Sequence, residues 1–206
     1  MSHARTQRPG HPTDGDLADR RAALTTSSAA AGMTLFVASE AVFFAAFLGI
    51  YASSFADAKN WPPVGLATPS VLLPTVGAAV LLLTAVTMWM GVRTLRRPDY
   101  PHTLGRFLVL TLIGALVFTA LLVSGLVQLP FGIGDGIYQT LFYVLLGLEL
   151  AHAVGGVALL GLICTRAWTG ELALRKDPVQ AAAIYWFFVV GLGVVLYVVL
   201  YAGSGS

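Results

Sequence analysis

Charged residues are scarce in this chain of 206 residues. They make up 11% of it, whereas a typical soluble domain contains about 25%. Hydrophobic residues make up 57%, and the formal net charge is only +2. The sequence also lacks a phosphate-binding glycine loop, a nucleophile triad and a basic patch suited to nucleic acid. This composition predicts a membrane protein with one helical domain and no nucleic-acid partner.

Cysteine is also nearly absent. The single residue, Cys164, cannot form an intrachain disulfide and has no cysteine partners for a metal site. We interpret it as a buried apolar thiol. No short apolar segment precedes the first long hydrophobic run, so we expect no cleaved signal peptide. The polar residues 1–30 are predicted to form a mobile tail.

Long apolar runs are the main feature of the rest of the chain. A helix needs about 20 apolar residues to cross the hydrocarbon core of a bilayer. Five runs reach this length, at about 31–53, 71–92, 107–129, 137–165 and 179–201. The sequence therefore predicts an all-α, polytopic bundle of five transmembrane helices over residues 31–201, followed by a short tail at 202–206.

The distribution of basic residues predicts the orientation of the bundle. With five spans, the N-terminal tail and the second and fourth connecting segments lie on one side of the membrane. These segments contain every Lys and Arg residue of the chain except Lys59. Because basic residues are enriched in cytoplasmic loops, we expect a cytoplasmic N-terminus and an external C-terminus.

Three ionisable residues lie inside the predicted spans: Glu40, Glu149 and His152. Such residues cost roughly 2.5–3.5 kcal/mol each at mid-membrane and usually mark function or pair with one another. All three are at similar depth, so we expect the first and fourth helices to approach, with Glu40 within reach of Glu149 or His152. The cluster is either structural or has a proton-related or lipid-related role. Glu40 is expected to be a neutral, protonated acid.

The Glu149-x-x-His152 spacing is also found in carboxylate di-iron sites. Such a site needs two of these motifs and two further glutamates, and the predicted spans contain only one of each. A haem with two histidine ligands is excluded within the chain, because the other three histidines lie outside the spans. A haem with one histidine ligand, His152, is a weaker alternative. We therefore expect no metal or cofactor, and no catalysis by this chain alone.

Small residues recur at every fourth position of the fourth predicted span: Gly147, Ala151 and Gly155. Stripes of this kind allow helices to pack closely in lipid. We predict that this stripe is a helix-packing surface and that it faces a different neighbour from the Glu149 and His152 pair.

Several motifs resemble one family. The first span contains Leu35-Phe36-Val37-Ala38-Ser39-Glu40-Ala41-Val42-Phe43-Phe44 and is followed by Asn60-Trp61-Pro62-Pro63. The fourth contains Gly147-Leu148-Glu149-Leu150-Ala151-His152-Ala153-Val154-Gly155-Gly156, and the fifth contains Tyr185-Trp186-Phe187-Phe188. Over residues 32–201, these segments resemble subunit III of the haem–copper oxidases in order and spacing.

The resemblance implies a non-catalytic support subunit of a respiratory oxidase in the bacterial plasma membrane. Its expected partners are subunit I, which would contact it directly and hold the haems and copper, subunit II and phospholipid. The chain resembles the five-helix form of the family. Glu40 and His152 match family positions, whereas Glu149 and Phe187 replace histidines and Val190 replaces an aspartate. An acidic residue expected near Gln128 is also missing.

Two other functions remain open from the sequence. One is an accessory membrane protein of a nitric oxide reductase, where relatives of subunit III also occur. The other is a small proton-coupled transporter that uses the three mid-membrane residues, although the chain shows no internal repeat of the kind common in transporters. The sequence does not distinguish a cytochrome c oxidase from a quinol oxidase.

Overall fold

The computed structural model describes residues 14–96, 100–169 and 177–202. Regular secondary structure in these ranges is entirely helical. The helices are α1 (Asp14–Asp57), α2 (Leu72–Thr94), α3 (Tyr100–Val127), α4 (Ile137–Trp168) and α5 (Asp177–Tyr197), and α5 continues into a π-helical turn, Val198–Ala202.

The predicted five-span architecture is confirmed. Within the described ranges, five helices are long and apolar enough to cross a membrane, and their boundaries lie close to those expected from the hydrophobic runs. Prolines lie in the first turns of three helices, at Pro74, Pro101 and Pro178. The missing N–H of proline removes no intrahelical bond there. The prolines therefore mark helix starts rather than kinks.

The first helix is longer than the predicted span. It begins at Asp14, although its membrane-spanning part covers Ala29–Asp57. The α-helix therefore includes residues 14–30, which the sequence indicates as part of a polar tail. Residues 1–13 lie outside the described residues, and the mobility of the tail stays a prediction.

Helix α5 is central to the bundle and α1 is peripheral. Of the residues in the most apolar window of each helix, 44% are buried in α5 but only 6% in α1. Trp186 of α5 is fully buried, and its Nε1–H donates a hydrogen bond of 3.0 Å to Oγ1 of Thr84 on α2. Because lipid tails are as apolar as the side chains, such bonds and close packing hold membrane helices together.

Glycines allow the closest helix approaches around Trp186. A Cβ atom at Gly156 of α4 would lie 2.7 Å from Cζ3 of Trp186. A Cβ atom at Gly114 of α3 would lie 2.5 Å from Cγ2 of Thr84. No side chain fits at either position without displacing its neighbour. The contact of Gly156 with Trp186 restricts the rotation of α4, and so influences which of its residues face the bundle.

Candidate functional site

Glu40 and His152 join α1 to α4. Oε2 of Glu40 lies 3.3 Å from Nε2 of His152, and the two side chains are 26% and 12% exposed, respectively. The expectation that Glu40 lies within reach of one of the two polar residues of α4 is therefore confirmed. Glu40 lies at the bilayer-facing edge of this contact, whereas His152 lies deeper in the bundle.

The hydrogen bonds of His152 indicate how many protons the Glu40 and His152 pair holds. Nδ1 lies 2.8 Å from the carbonyl oxygen of Leu148. A carbonyl only accepts, so Nδ1 carries a proton and donates it. A contact between Nε2 and the Glu40 carboxyl then needs one further proton, held by either group. The pair is therefore electrically neutral in both arrangements, which suits a low-dielectric environment.

Aromatic rings surround the imidazole of His152. Phe44 of α1 lies edge-on at a centroid distance of 5.2 Å, and Phe188 of α5 lies at 5.9 Å. Tyr185 stacks at 6.4 Å, and its hydroxyl donates a hydrogen bond of 3.0 Å to the carbonyl oxygen of His152. These contacts fix the ring and exclude other polar groups from its faces.

Glu149 does not join this pair. It is 1% exposed, and its two carboxylate oxygens have no hydrogen-bond partner among the described residues. A Cβ atom at Gly193 of α5 would lie 2.8 Å from Oε1 of Glu149, so the carboxyl group packs against the bare backbone of α5. The structure thus unites two members of the predicted cluster and directs the third into the bundle interior.

A cavity of about 50 Å³ lies beside Glu149. Its lining comes from α2, α3, α4, α5 and the turn after α5. Most of the lining is apolar, and Glu149, Tyr197 and Tyr201 are its residues with polar side-chain groups. The other lining residues include Gly77, Phe118, Gly125, Leu146 and Gly193. Sequence reasoning missed this cavity, because it depends on how four helices are rotated relative to one another.

The predicted small-residue stripe is not the main face by which α4 packs within the described chain. Ala151 and Gly155 are exposed, and no atom lies within 4 Å of a Cβ built at Gly147. Gly155 approaches only the hydroxyl end of Tyr185, at 2.9 Å, whereas Gly156 meets the Trp186 ring. As a surface for a neighbouring subunit or lipid, the stripe stays a prediction.

An aromatic cluster closes the end of the bundle near the α1–α2 loop. Nε1–H of Trp61 donates a hydrogen bond of 3.0 Å to the hydroxyl of Tyr51, and the Trp61 ring lies 5.1 Å from that of Tyr138. Trp61 is therefore a structural residue that attaches the α1–α2 loop to α1 and α4. Trp168, at the other end of α4, is 80% exposed, as expected of an interfacial residue.

No group of three or more His, Cys, Asp or Glu residues that could hold a metal is found among the described residues. The site therefore consists of a neutral Glu40 and His152 pair and a separate buried carboxyl. Five spans and these mid-membrane groups define a polytopic helical membrane protein with an embedded polar site.

Comparison with known proteins identifies the family. The model of the family "Cytochrome c oxidase subunit III" matches residues 13–204. Cytochrome c oxidase subunit 3 of Papio hamadryas is 34% identical over 181 residues, which cover 82% of this chain and 67% of the relative. The human protein is 33% identical with the same coverage, and that of Lumbricus terrestris is 30% identical over 91% of this chain and 75% of the relative. The chain belongs to the family of subunit III of the haem–copper oxidases.

Proposed function

We propose that this chain is a non-catalytic support subunit of a haem–copper respiratory oxidase in a bacterial plasma membrane. The observation that carries the proposal is the Glu40 and His152 pair, which occupies two matched positions of the family motifs. Family membership over residues 13–204 supports it further. We assign the haems and copper to a partner, subunit I, as the family resemblance implies.

The pair stabilises the attachment of α1 to the rest of the bundle. Few residues of α1 are buried, so packing alone holds this helix weakly. A hydrogen-bonded contact at mid-membrane adds an interaction that is worth about 0.6 kcal/mol on average in membrane proteins. It also keeps a carboxyl group near the bilayer without a net charge. The pair therefore helps a support subunit to keep its fold beside a catalytic partner.

The exposed surface supports the proposed partners. Large apolar residues of α1 are exposed, including Leu35 at 74% and Val42 at 72%. We assign this surface to phospholipid and subunit I, with subunit II in the same complex. With the N-terminus cytoplasmic, the basic ends of α2 and α4 face the cytoplasm. The support role includes maintaining proton uptake by subunit I during turnover.

A tagged full-length chain purified from its native membrane tests the proposal. Subunits I and II, with a haem spectrum, should copurify with it. Glu40→Ala should leave initial oxidase turnover almost unchanged but shorten the working life of the enzyme, whereas Glu40→Gln should preserve that life. Purification of the wild-type chain without a haem-containing subunit would contradict the proposal. Uptake of a solute by the chain in liposomes would instead support a transporter.

A further inference from the structure

Of the three mid-membrane residues Glu40, Glu149 and His152, only Glu149 lies outside the Glu40 and His152 pair. We propose that Glu149 is a protonated, water-bound acid that exchanges its proton with the aqueous phase on the side of the α1–α2 and α3–α4 loops. The ligands of the site are water and the proton. The inference goes beyond the support function and does not depend on it.

Burial and the missing partners favour the neutral form of Glu149. A carboxylate with 1% exposure and no described hydrogen-bond donor would carry an uncompensated charge in a low-dielectric interior. The protonated acid avoids this cost. It still leaves an O–H donor and acceptor oxygens to be satisfied, and the cavity beside it is where their partners can lie.

The volume and polar groups of the cavity suit water. A water molecule needs about 10–15 Å³ of cavity volume and two to four polar partners, so about 50 Å³ has room for a small cluster. The Thr75 hydroxyl donates to the carbonyl of Val71 at 2.7 Å and lies 2.8 Å from the Tyr197 hydroxyl. Tyr197 therefore donates to Thr75, and its oxygen can still accept a bond from water. The Glu149 carboxyl is the second polar group.

The other ionisable groups near Glu149 do not remove the need for a proton. Tyr197 and Tyr201 line the same cavity, whereas α2 and α3 contribute apolar residues and glycines to it. Glu40 and His152 form their own neutral pair. No basic side chain lines the cavity among the described residues, so nothing there compensates an ionised carboxyl.

A second, smaller cavity leads from this site towards the loops. It measures about 10 Å³, room for roughly one water, and its lining includes Ser70 and Gln128. Both cavities are lined by Leu73, Pro74, Gly125 and Tyr201. These shared residues lie where the start of α2, the end of α3 and the end of α5 meet. Small motions of them would connect Glu149 to water on that side.

Gly125 offers a way to obstruct this connection. It lines both cavities, and no atom lies within 4 Å of a Cβ built there. Because a Cβ atom there meets no neighbour, we expect leucine at this position to occupy cavity space and alanine to occupy less. Gly105, on the same helix, also has no atom within 4 Å of a built Cβ and lines neither cavity. Gly105→Leu is therefore the matched control.

Infrared spectroscopy of the purified complex that contains the full chain tests the proposal. Wild type minus Glu149→Gln should show the carbonyl band of a protonated carboxyl, and this band should shift in D₂O. The shift should be slower in Gly125→Leu by at least about tenfold, or about 1.4 kcal/mol of added barrier. Gly125→Ala should have a smaller effect, and Gly105→Leu none.

Two results would overturn the inference. The first is the absence of a protonated-carboxyl band that depends on Glu149, which would show that the group is ionised. The second is an exchange rate that is equal in Gly125→Leu and wild type, which would exclude access through the shared cavity lining. Haem content and subunit composition, measured on each variant, separate either result from a failure of assembly or of the proposed support role.

Discussion

Nε2 of His152 on α4 lies 3.3 Å from Oε2 of Glu40 on α1, and this contact links the most peripheral helix to the bundle. The imidazole is oriented by its Nδ1 bond to the carbonyl of Leu148. Together these bonds require one shared proton and no net charge. Glu149, only three residues before His152, lies outside this pair and lines a cavity.

The first prediction is an energetic coupling between Glu40 and His152. A double-mutant cycle of Glu40→Ala and His152→Ala should give a coupling of about 0.6 kcal/mol, and at most about 1.7 kcal/mol. The free energy of unfolding in mixed micelles is the measurement. Glu40→Ala combined with Tyr51→Phe is the control. Tyr51 is eleven residues further along α1, or about 16 Å, so this pair should be additive. Equal coupling in both cycles would contradict a direct contact.

The second prediction separates two glycines of α4. Gly156→Ala should destabilise the chain by about 1–3 kcal/mol, as overpacking does, because the new Cβ would lie 2.7 Å from the buried Trp186 ring. Gly147→Ala should change the free energy of unfolding by less than about 0.5 kcal/mol.

If the stripe of Gly147, Ala151 and Gly155 packs against another subunit, Gly147→Leu should reduce copurification of that subunit while the free energy of unfolding stays unchanged. Unchanged copurification would argue against that role.

The sequence predicts the parts of this structure that depend on local composition. Hydrophobic runs define the five spans, and equal depth brings Glu40 to His152. The rotation of α4 was not predictable in the same way. Positions 149 and 152 differ by about 60° around a helix, enough to face different neighbours in a bundle with contacts on several sides. Lipid and protein are both apolar, so hydrophobicity did not show that Gly156, rather than Gly155, faces Trp186.

The third prediction concerns topology. Reporter fusions after Gly65 and after Gly203 should both report the external side of the membrane. The reason is the strong excess of Lys and Arg in the N-terminal tail and in the second and fourth connecting segments. A fusion in the segment between α2 and α3 should report the cytoplasm and serves as the internal control. A cytoplasmic signal from the C-terminal fusion would reject the orientation.

The fourth prediction is that the isolated full-length chain binds no haem and has no oxidase activity. His152, the histidine at mid-membrane, is already engaged by Glu40 and by the carbonyl of Leu148. An absorbance spectrum of the chain purified without its partners should therefore show no stoichiometric haem band after incubation with haem. A band that disappears in His152→Ala would show that the imidazole is a ligand after all.

The last prediction concerns labelling of Glu40 by a hydrophobic carbodiimide, which reacts with protonated carboxyl groups in apolar surroundings. Glu40 is the accessible target, because its side chain is 26% exposed whereas Glu149 is 1% exposed. Glu40→Gln should abolish labelling, and Glu149→Gln should leave it unchanged. Mass spectrometry of peptides from the labelled chain is the measurement.

His152→Phe extends this test to the shared proton. Without a base beside it, Glu40 must keep its own proton, because an ionised carboxyl in the bilayer is costly. The labelling rate should therefore rise above that of the wild type. Each tenfold rise corresponds to about 1.4 kcal/mol in favour of the proton on His152 in the native pair. Labelling that persists in Glu40→Gln would show that Glu40 is not the labelled group. Labelling that slows in His152→Phe would show that the two residues do not share a proton in this way.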